Sequence, residues 1–219
     1  MKKIISVICV ISMMFLMTAC GSQSSEKEHS GSSSESADNV QSEQTDNTQQ
    51  NKEEGQDILV AYFSATGTTK TLAGYLSEVT GGDLYEIVPE EPYTSDDLNY
   101  SDNNSRSTME QNDENARPAI SGSLEDISQY DVIFLGYPIW WGEAPRIIYT
   151  FMESYDFAGK TIVPFCTSGG SGIGSSAQNL HELAASDINW LDGEQLDSGI
   201  SHNEMVSWVN GLGLDVTAE

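Results

Sequence analysis

The chain has 219 residues, enough for one ordinary domain with additional segments. Its 34 acidic and 9 basic residues give a formal net charge of −25. A protein this acidic repels nucleic acid and anionic lipid headgroups, so the composition excludes nucleic acid as a partner and excludes polybasic attachment to a membrane.

The N-terminal segment predicts export. Residues 1–20 begin with basic residues, continue with an apolar run that is short for a spanning helix of about 20 residues, and end in Thr18-Ala19-Cys20. This order is typical of a bacterial signal peptide, and the cysteine followed by Gly21-Ser22 resembles a lipobox. We therefore expect a lipoprotein that is anchored through Cys20 at the extracytoplasmic face of the cell membrane, with no other membrane contact. An uncleaved anchor helix and an ordinary signal peptide are the alternatives.

The next segment predicts a tether. Residues 21–56 are almost entirely Ser, Gln, Glu, Asp, Asn and Gly, with Val40 as an apolar exception. Such a stretch cannot bury enough apolar surface to offset the entropy of ordering, so we expect a disordered acidic linker. The composition changes sharply at Asp57, which predicts a folded domain over residues 57–219.

The domain begins with alternating strand and helix patterns. Residues 58–63 form a continuous apolar run, as expected for a strand buried on both faces of a parallel sheet. An amphipathic helix over 69–79 follows and ends at Gly81-Gly82, and residues 84–88 predict a second strand. Residues 89–123 are polar and without a clear pattern, so this segment is either functional or loosely ordered.

The alternation continues to the end of the chain. The remaining predicted elements are a strand over 130–136, a helix over 145–155, a strand over 161–166, a helix over 175–185, a short strand at 188–191 or 195–196, and a final helix that begins with a capping box at Ser201–Glu204 and ends at Gly211 or Gly213. Pro164 is unusual in the centre of a sheet and argues against complete pairing there. The pattern predicts an α/β fold with a doubly wound parallel sheet and helices on both faces.

Three loops of unusual composition follow predicted strands, at the sheet edge where such folds bind ligands. Residues 64–69 carry four hydroxyl side chains and one glycine before a helix N-terminus, which is a favourable place for a phosphate. Lys70 comes after the threonines, so this is not a P-loop, and no G-x-G-x-x-G fingerprint is present. Residues 137–145 contain two adjacent tryptophans suited to covering a flat ligand, although one of them could instead pack in the core. Residues 167–174 are glycine-rich and offer backbone amides.

Together these loops resemble one family. The stretches L-V-A-Y-F-S-A-T-G-T-T, G-Y-P-I-W-W-G and F-C-T-S-G-G-S-G are similar to those of flavodoxin-like domains of the long-loop bacterial type, over residues 57–212. The resemblance implies a five-stranded sheet in the order 2-1-3-4-5 and FMN as the cofactor. It further implies that the FMN phosphate is held by Ser64, Thr66, Gly67, Thr68 and Thr69, that the isoalloxazine ring is lined by Pro138, Ile139, Trp140, Trp141 and Gly142, and that its other edge is closed by Thr167, Ser168, Gly169 and Gly170.

Three functions are compatible with this site. The first is electron transfer through FMN to a redox partner protein or a small-molecule electron acceptor. The second is an FMN-dependent NAD(P)H:quinone-type oxidoreductase, in which Tyr93, Arg106 and Arg117 form a lid or substrate wall. The third is a flavin-free binding module on the same fold.

The sequence predicts neither a catalytic side chain nor a metal site. His181 and His202 have no Cys or carboxylate partners at ligand spacing, and the cysteines show no C-x-x-C pattern. Cys166 ends a predicted strand, and we expect a buried structural thiol there.

Overall fold

The computed structural model describes residues 55–184, 187–216 and 218. The predicted signal peptide, the lipidation site at Cys20 and nearly all of the linker lie outside the described residues. None of the helices in the described part of the chain has the length and hydrophobicity of a membrane-spanning segment.

The elements alternate along the chain as the sequence predicts. The strands are β1 (Ile58–Tyr62), β2 (Asp83–Glu86), β3 (Val88–Pro89), β4 (Ile120–Ser121), β5 (Val132–Pro138), β6 (Thr161–Thr167), β7 (Asn189–Trp190) and β8 (Glu194–Gln195). The helices are α1 (Thr68–Thr80), α2 (Arg106–Asn112), α3 (Arg146–Ser154), α4 (Ser176–Leu180) and α5 (His202–Gly211), with one 3₁₀ turn at His181–Leu183.

The main sheet is parallel and has the order β2-β1-β5-β6-β7, with β8 also beside β6. Counted along the chain within this sheet, the order is 2-1-3-4-5, which confirms the predicted fold class. The winding direction reverses between β1 and β5, because β2 lies on one side of β1 and β5 on the other. In open α/β sheets a ligand crevice forms at the carboxyl ends of the two strands that flank such a reversal.

The fifth strand of this sheet is interrupted at Pro164. β7 pairs with Thr161 and Ile162, and β8 pairs with Phe165 and Cys166, so the gap lies beside the proline. The carbonyls of Ile162 and Cys166 accept hydrogen bonds from the backbone amides that follow β7 and β8. Alternate residues of a strand direct their backbone groups to the same neighbouring strand, so position 164 also faces β7 and β8. Pro164 has no N–H to donate there. The ladder is therefore broken there, as the sequence predicts.

The core lies on both faces of the sheet. Leu59 and Ala61 face one side with α3, while Val60 and Tyr62 face the other side with α1 and α5. All five residues of β1 are buried, which explains the continuous apolar run in the sequence.

The polar segment of residues 90–119, here called the excursion, is closed at its base by a two-stranded ribbon. β3 and β4 pair antiparallel, with Val88 opposite Ser121 and Pro89 opposite Ile120. Between them α2 begins at Ser105, whose hydroxyl accepts the N–H of Thr108. The excursion is thus an ordered layer with its own helix, although its sequence shows no clear pattern.

Several boundaries differ from the prediction. The predicted strand over 84–88 ends at Glu86, and Val88 pairs with β4 instead. The predicted helix over 175–185 is only α4 followed by the 3₁₀ turn. Pro145 is the N-cap of α3 rather than its first residue. The capping box at Ser201 and Glu204 is confirmed.

Candidate functional site

The three predicted loops meet at one edge of the sheet. Tyr62 at the end of β1 lies opposite Gly136 in β5, and Pro138 at the end of β5 lies opposite Thr167 at the end of β6. Because these strands are parallel neighbours, the segments that follow them leave the sheet on the same side.

The first loop is a turn that leads into α1. The Ser64 hydroxyl accepts the Gly67 N–H at 3.0 Å, and Gly67 is the N-cap of α1 with φ 93°. A side chain at Gly67 would meet no atom within 4 Å, so the positive φ and not crowding requires glycine. No side chain caps the helix, which leaves its first-turn amides directed outwards from the sheet edge.

The threonines of this loop differ in their surroundings. Thr66 and Thr68 are exposed, whereas Thr69 is buried. The Thr69 hydroxyl lies 2.9 Å from the hydroxyl of Thr167, which is also buried. This hydrogen bond joins the first predicted loop directly to the third.

The second loop contains a tight turn that carries the tryptophan pair. Trp140 and Glu143 exchange two backbone hydrogen bonds of 2.9 and 3.0 Å, with Trp141 at φ 49° and Gly142 at φ 82° between them. Positive φ at both central residues defines a type I′ turn. For a bulky side chain such as Trp141 this conformation costs about 1–3 kcal/mol, so the surrounding contacts must enforce it.

The two tryptophans have different roles. Trp140 is 2% exposed and packs edge-on against Phe63 and Tyr93 in the core. Trp141 is 46% exposed and lies on the surface of the loop. The alternative that one tryptophan packs in the core is therefore correct for Trp140.

The third loop is open and carries little side-chain bulk. The Ser168 hydroxyl accepts the N–H groups of Gly170 and Ser171 at 3.1 and 2.8 Å. Gly169 and Gly170 are exposed, and a side chain at either position would meet nothing within 4 Å. The loop presents backbone atoms with little obstruction.

A cleft of about 410 Å³ lies between the second and third loops. Its lining residues are Tyr100, Ile139, Trp140, Trp141, Gly142, Ser168, Gly169, Gly170 and Ser171. The structure thus brings together most of the residues predicted for the ring site. Pro138 and Thr167 instead pair with each other at the strand ends, and the first loop lies beside the cleft rather than lining it.

Tyr100 is a cleft residue that the sequence analysis did not assign to the site. It comes from the excursion, is 54% exposed, and its ring lies 5.2 Å from that of Trp141. The available signal was an aromatic residue in an otherwise polar segment.

The side chains considered for a lid are engaged elsewhere, since Arg106 lies over the Tyr93 ring at 4.1 Å and Arg117 binds Glu153.

The positive charges of the described residues are all paired or buried. Three form ion pairs, Lys70 with Glu86, Arg106 with Glu110 and Arg117 with Glu153. Arg146 and Lys160 are buried, and the Lys160 ammonium donates to the carbonyls of Ser128 and Tyr130. Within the described part of the chain, an anion at the cleft or the first loop would therefore meet backbone dipoles and hydroxyl groups rather than an unpaired side-chain cation.

Cys166 is fully buried, as the sequence predicts, and burial raises the pKa of its thiol to about 12. A thiol with so high a pKa is an inert packing group at neutral pH. Tyr100 is half exposed, and partial desolvation raises the pKa of its hydroxyl, which stays protonated at neutral pH. No group of His, Cys, Asp or Glu in the described residues is arranged to hold a metal ion.

Comparisons with known proteins agree with this architecture. A family profile described as flavodoxin matches residues 57–212. A provisionally named flavoprotein from Bacteroides eggerthii DSM 20697 is 49% identical, with 73% of this chain and 99% of that chain covered and a TM-score of 0.69. Another from Bacteroides uniformis ATCC 8492 is 46% identical, with 71% and 99% covered and a TM-score of 0.68.

A more distant structure shares the fold. A flavoprotein from Lactobacillus acidophilus NCFM, solved in complex with FMN, is 23% identical, with 73% of this chain and 99% of that chain covered and a TM-score of 0.53. Among curated proteins, no significant match to this chain is found.

Proposed function

The chain belongs to the flavodoxin family, and from this premise we propose that it binds FMN and transfers electrons through it. The observation that carries the proposal is the Thr69–Thr167 hydrogen bond of 2.9 Å, which ties the first loop to the strand end beside the cleft. The first loop, which we propose for the phosphate, and the cleft, which we propose for the ring, therefore lie along one edge of the sheet, at the reversal of the winding.

The first loop suits the phosphate of FMN. Exposed hydroxyls at Thr66 and Thr68 and the uncapped first turn of α1 can donate hydrogen bonds, and the positive end of the helix dipole favours an anion. Lys70 follows directly, but its ammonium is bound to the Glu86 carboxylate at 2.6 Å. The phosphate would thus be held by neutral donors.

The cleft suits the ring system. Its volume of about 410 Å³ falls within the usual range of small-molecule sites, about 300–1,000 Å³. Trp141 and Ile139 supply apolar surface to the cleft, and the exposed backbone of Gly169 and Gly170 also lines it. FMN, when bound, supplies the one- and two-electron chemistry, while the side chains of this protein bind it, orient it and exclude water.

The charge distribution favours an electron carrier over a nicotinamide-dependent reductase. A nicotinamide dinucleotide brings phosphate groups that need positive partners, and every lysine and arginine of the described residues is paired or buried. The partner would then be a redox protein or a small uncharged or cationic acceptor that reaches the exposed Tyr100 and Trp141 side of the cleft.

The proposal includes the location. The signal-like residues 1–20 and the polar residues 21–56 support a lipoprotein that is anchored through Cys20 on the extracytoplasmic face of the membrane, with the linker as a tether. Replacing Cys20→Ala should abolish incorporation of labelled fatty acid and release the protein from the membrane fraction. Undiminished labelling of the variant would show that Cys20 is not the anchor.

The cofactor is tested on the full chain by its visible spectrum and by titration with FMN. We expect a flavin spectrum and binding that weakens when Thr66→Val and Thr68→Val are combined. Thr80→Val is the matched control, because its hydroxyl bonds a carbonyl at the opposite end of α1. A colourless wild-type protein that takes up no added FMN would favour the flavin-free binding module. NADH or NADPH oxidation with a quinone, measured above the free-flavin rate, would favour the reductase instead.

A further inference from the structure

We infer that Gln111 of the excursion is a positioning residue for the cleft. It holds the turn at Trp140–Glu143 in the conformation that places the Trp141 ring on the cleft wall. That this turn shapes an FMN site rests on the proposed function, whereas the contacts between Gln111 and the turn do not depend on it.

The turn needs external support. Trp141 has φ 49°, a backbone conformation that a bulky residue seldom adopts. Gly142 at φ 82° and the two hydrogen bonds between Trp140 and Glu143 supply part of the constraint. The Glu143 carboxylate is further held by the Asn179 amide of α4 at 2.8 Å.

Gln111 completes the support from the other side. Its side-chain amide nitrogen donates to the carbonyl of Trp140 at 3.2 Å and to the carbonyl of Ala144 at 3.3 Å. These two carbonyls bracket the turn, so a single nitrogen with two N–H groups holds both ends. The Gln111 backbone carbonyl in turn accepts a hydrogen bond of 3.1 Å from Arg146, the first residue of α3.

The amide is not placed there for stability alone. Gln111 is buried, and its side-chain oxygen has no hydrogen-bond partner, as is also true of Arg146 Nε. An apolar side chain of similar size would bury no unsatisfied oxygen, whereas an unpaired buried polar atom is costly. What glutamine adds over such a side chain is two directed donors on the turn.

The same short helix also fixes the second exposed aromatic of the cleft. The Ser107 N–H and hydroxyl both bind the carbonyl of Asp97, at 3.0 and 2.6 Å, and Asp97 lies three residues before Tyr100. α2 therefore contacts the segment that carries Tyr100 with one residue and the turn that carries Trp141 with another. The two rings meet edge to face, with their centroids 5.2 Å apart.

The test compares Gln111→Met with Thr108→Val in the full chain. Thr108 is a buried residue of α2 whose hydroxyl bonds Ser105 and does not touch the turn, so its loss is a matched control. Hydrogen–deuterium exchange at the Trp140 and Glu143 amides should be about tenfold faster in Gln111→Met and unchanged in Thr108→Val. The Kd for FMN should rise about three- to tenfold in Gln111→Met only, the equivalent of one net hydrogen bond.

Equal exchange at the turn in the two variants would overturn the positioning role, whether or not flavin binds. Failure of the wild-type chain to bind FMN would overturn the proposed function, and the exchange rates would still decide the role of Gln111. If Gln111→Met does not fold, Gln111→Asn is measured by the same criterion, because it keeps the amide but withdraws it by one methylene group.

Discussion

The hydroxyl pair of Thr69 and Thr167 offers the sharpest test of how the site is assembled. The two oxygens lie 2.9 Å apart and come from residues 98 positions apart in the chain. Thr69 is 1% exposed and Thr167 is 6% exposed, so water cannot readily replace either partner. We consider Thr69→Val, Thr167→Val and the double variant, since valine keeps the shape of threonine and removes the hydroxyl.

Each single variant leaves one buried hydroxyl without its partner, which costs about 1–3 kcal/mol. In a domain of this size 1 kcal/mol corresponds to about 2–4 °C in Tm, so each single change should lower Tm by roughly 4–8 °C for a cost of about 2 kcal/mol. The double variant removes both polar groups and should lie within about 1 kcal/mol of the wild type. The two effects are therefore strongly non-additive.

Thermal and urea unfolding of the full chain, with and without added FMN, measure this double-mutant cycle. Additive costs, or single variants as stable as the wild type, would refute the buried hydroxyl pair. A Thr69→Val chain that loses FMN affinity without losing stability would show that this hydroxyl serves the ligand and not Thr167.

Three further predictions concern packing and ionisation. Gly136→Ala should destabilise the protein by about 3 kcal/mol or fail to fold, because the new Cβ would lie 2.2 Å from the Phe165 ring. Glu153→Gln should cost less than about 1 kcal/mol in urea unfolding at neutral pH, since the pair with Arg117 is partly exposed. Hydrogen bonding to Arg117 lowers the pKa of Glu153, so this small contribution is present above the ordinary glutamate pKa and is lost as the pH falls through the lowered value. Burial raises the pKa of the Cys166 thiol to about 12. The free energy of unfolding should therefore fall as the pH rises from about 8.5, the pKa of the unfolded thiol. Alkylation of Cys166 at pH 8, mapped by mass spectrometry, should be far slower in the native protein than in urea.

Each of these has a control or an opposing outcome. Gly74→Ala, in the interior of α1 where a Cβ meets nothing within 4 Å, should stabilise the protein by about 0.5–1 kcal/mol. A cost similar to that of Gly136→Ala would contradict the packing argument. A Glu153→Gln effect that persists unchanged at high salt or low pH would contradict the ion pair, and equal alkylation of Cys166 in the native and unfolded protein would contradict its burial.

The fold was largely readable from local patterns. The unbroken apolar run at Ile58–Tyr62 predicted a strand covered on both faces, and the capping box at Ser201 predicted the start of α5. Pro164 predicted incomplete pairing, and the fifth strand is interrupted at its side. These signals succeed because each depends on the chemistry of a few consecutive residues.

The boundaries were less predictable where long-range pairing decides them. Val88 continues an apolar stretch and would extend β2 by pattern alone, but it pairs with Ser121 across the whole excursion. The excursion itself has few apolar residues, and its order depends on polar contacts such as Arg117 with Glu153 that no local pattern reveals.

The fold class, the three loops at the ligand edge of the sheet and their content of hydroxyl groups and glycine could be predicted from the sequence, because buried strands and glycine- or hydroxyl-rich turns are local features. Which tryptophan is buried and which is exposed, the position of Tyr100 beside them and the contact of Gln111 with the turn became known only from the three-dimensional structure. Those outcomes depend on backbone direction at a turn and on contacts between segments distant in the chain. Such contacts form only when the sheet has brought the strand ends together.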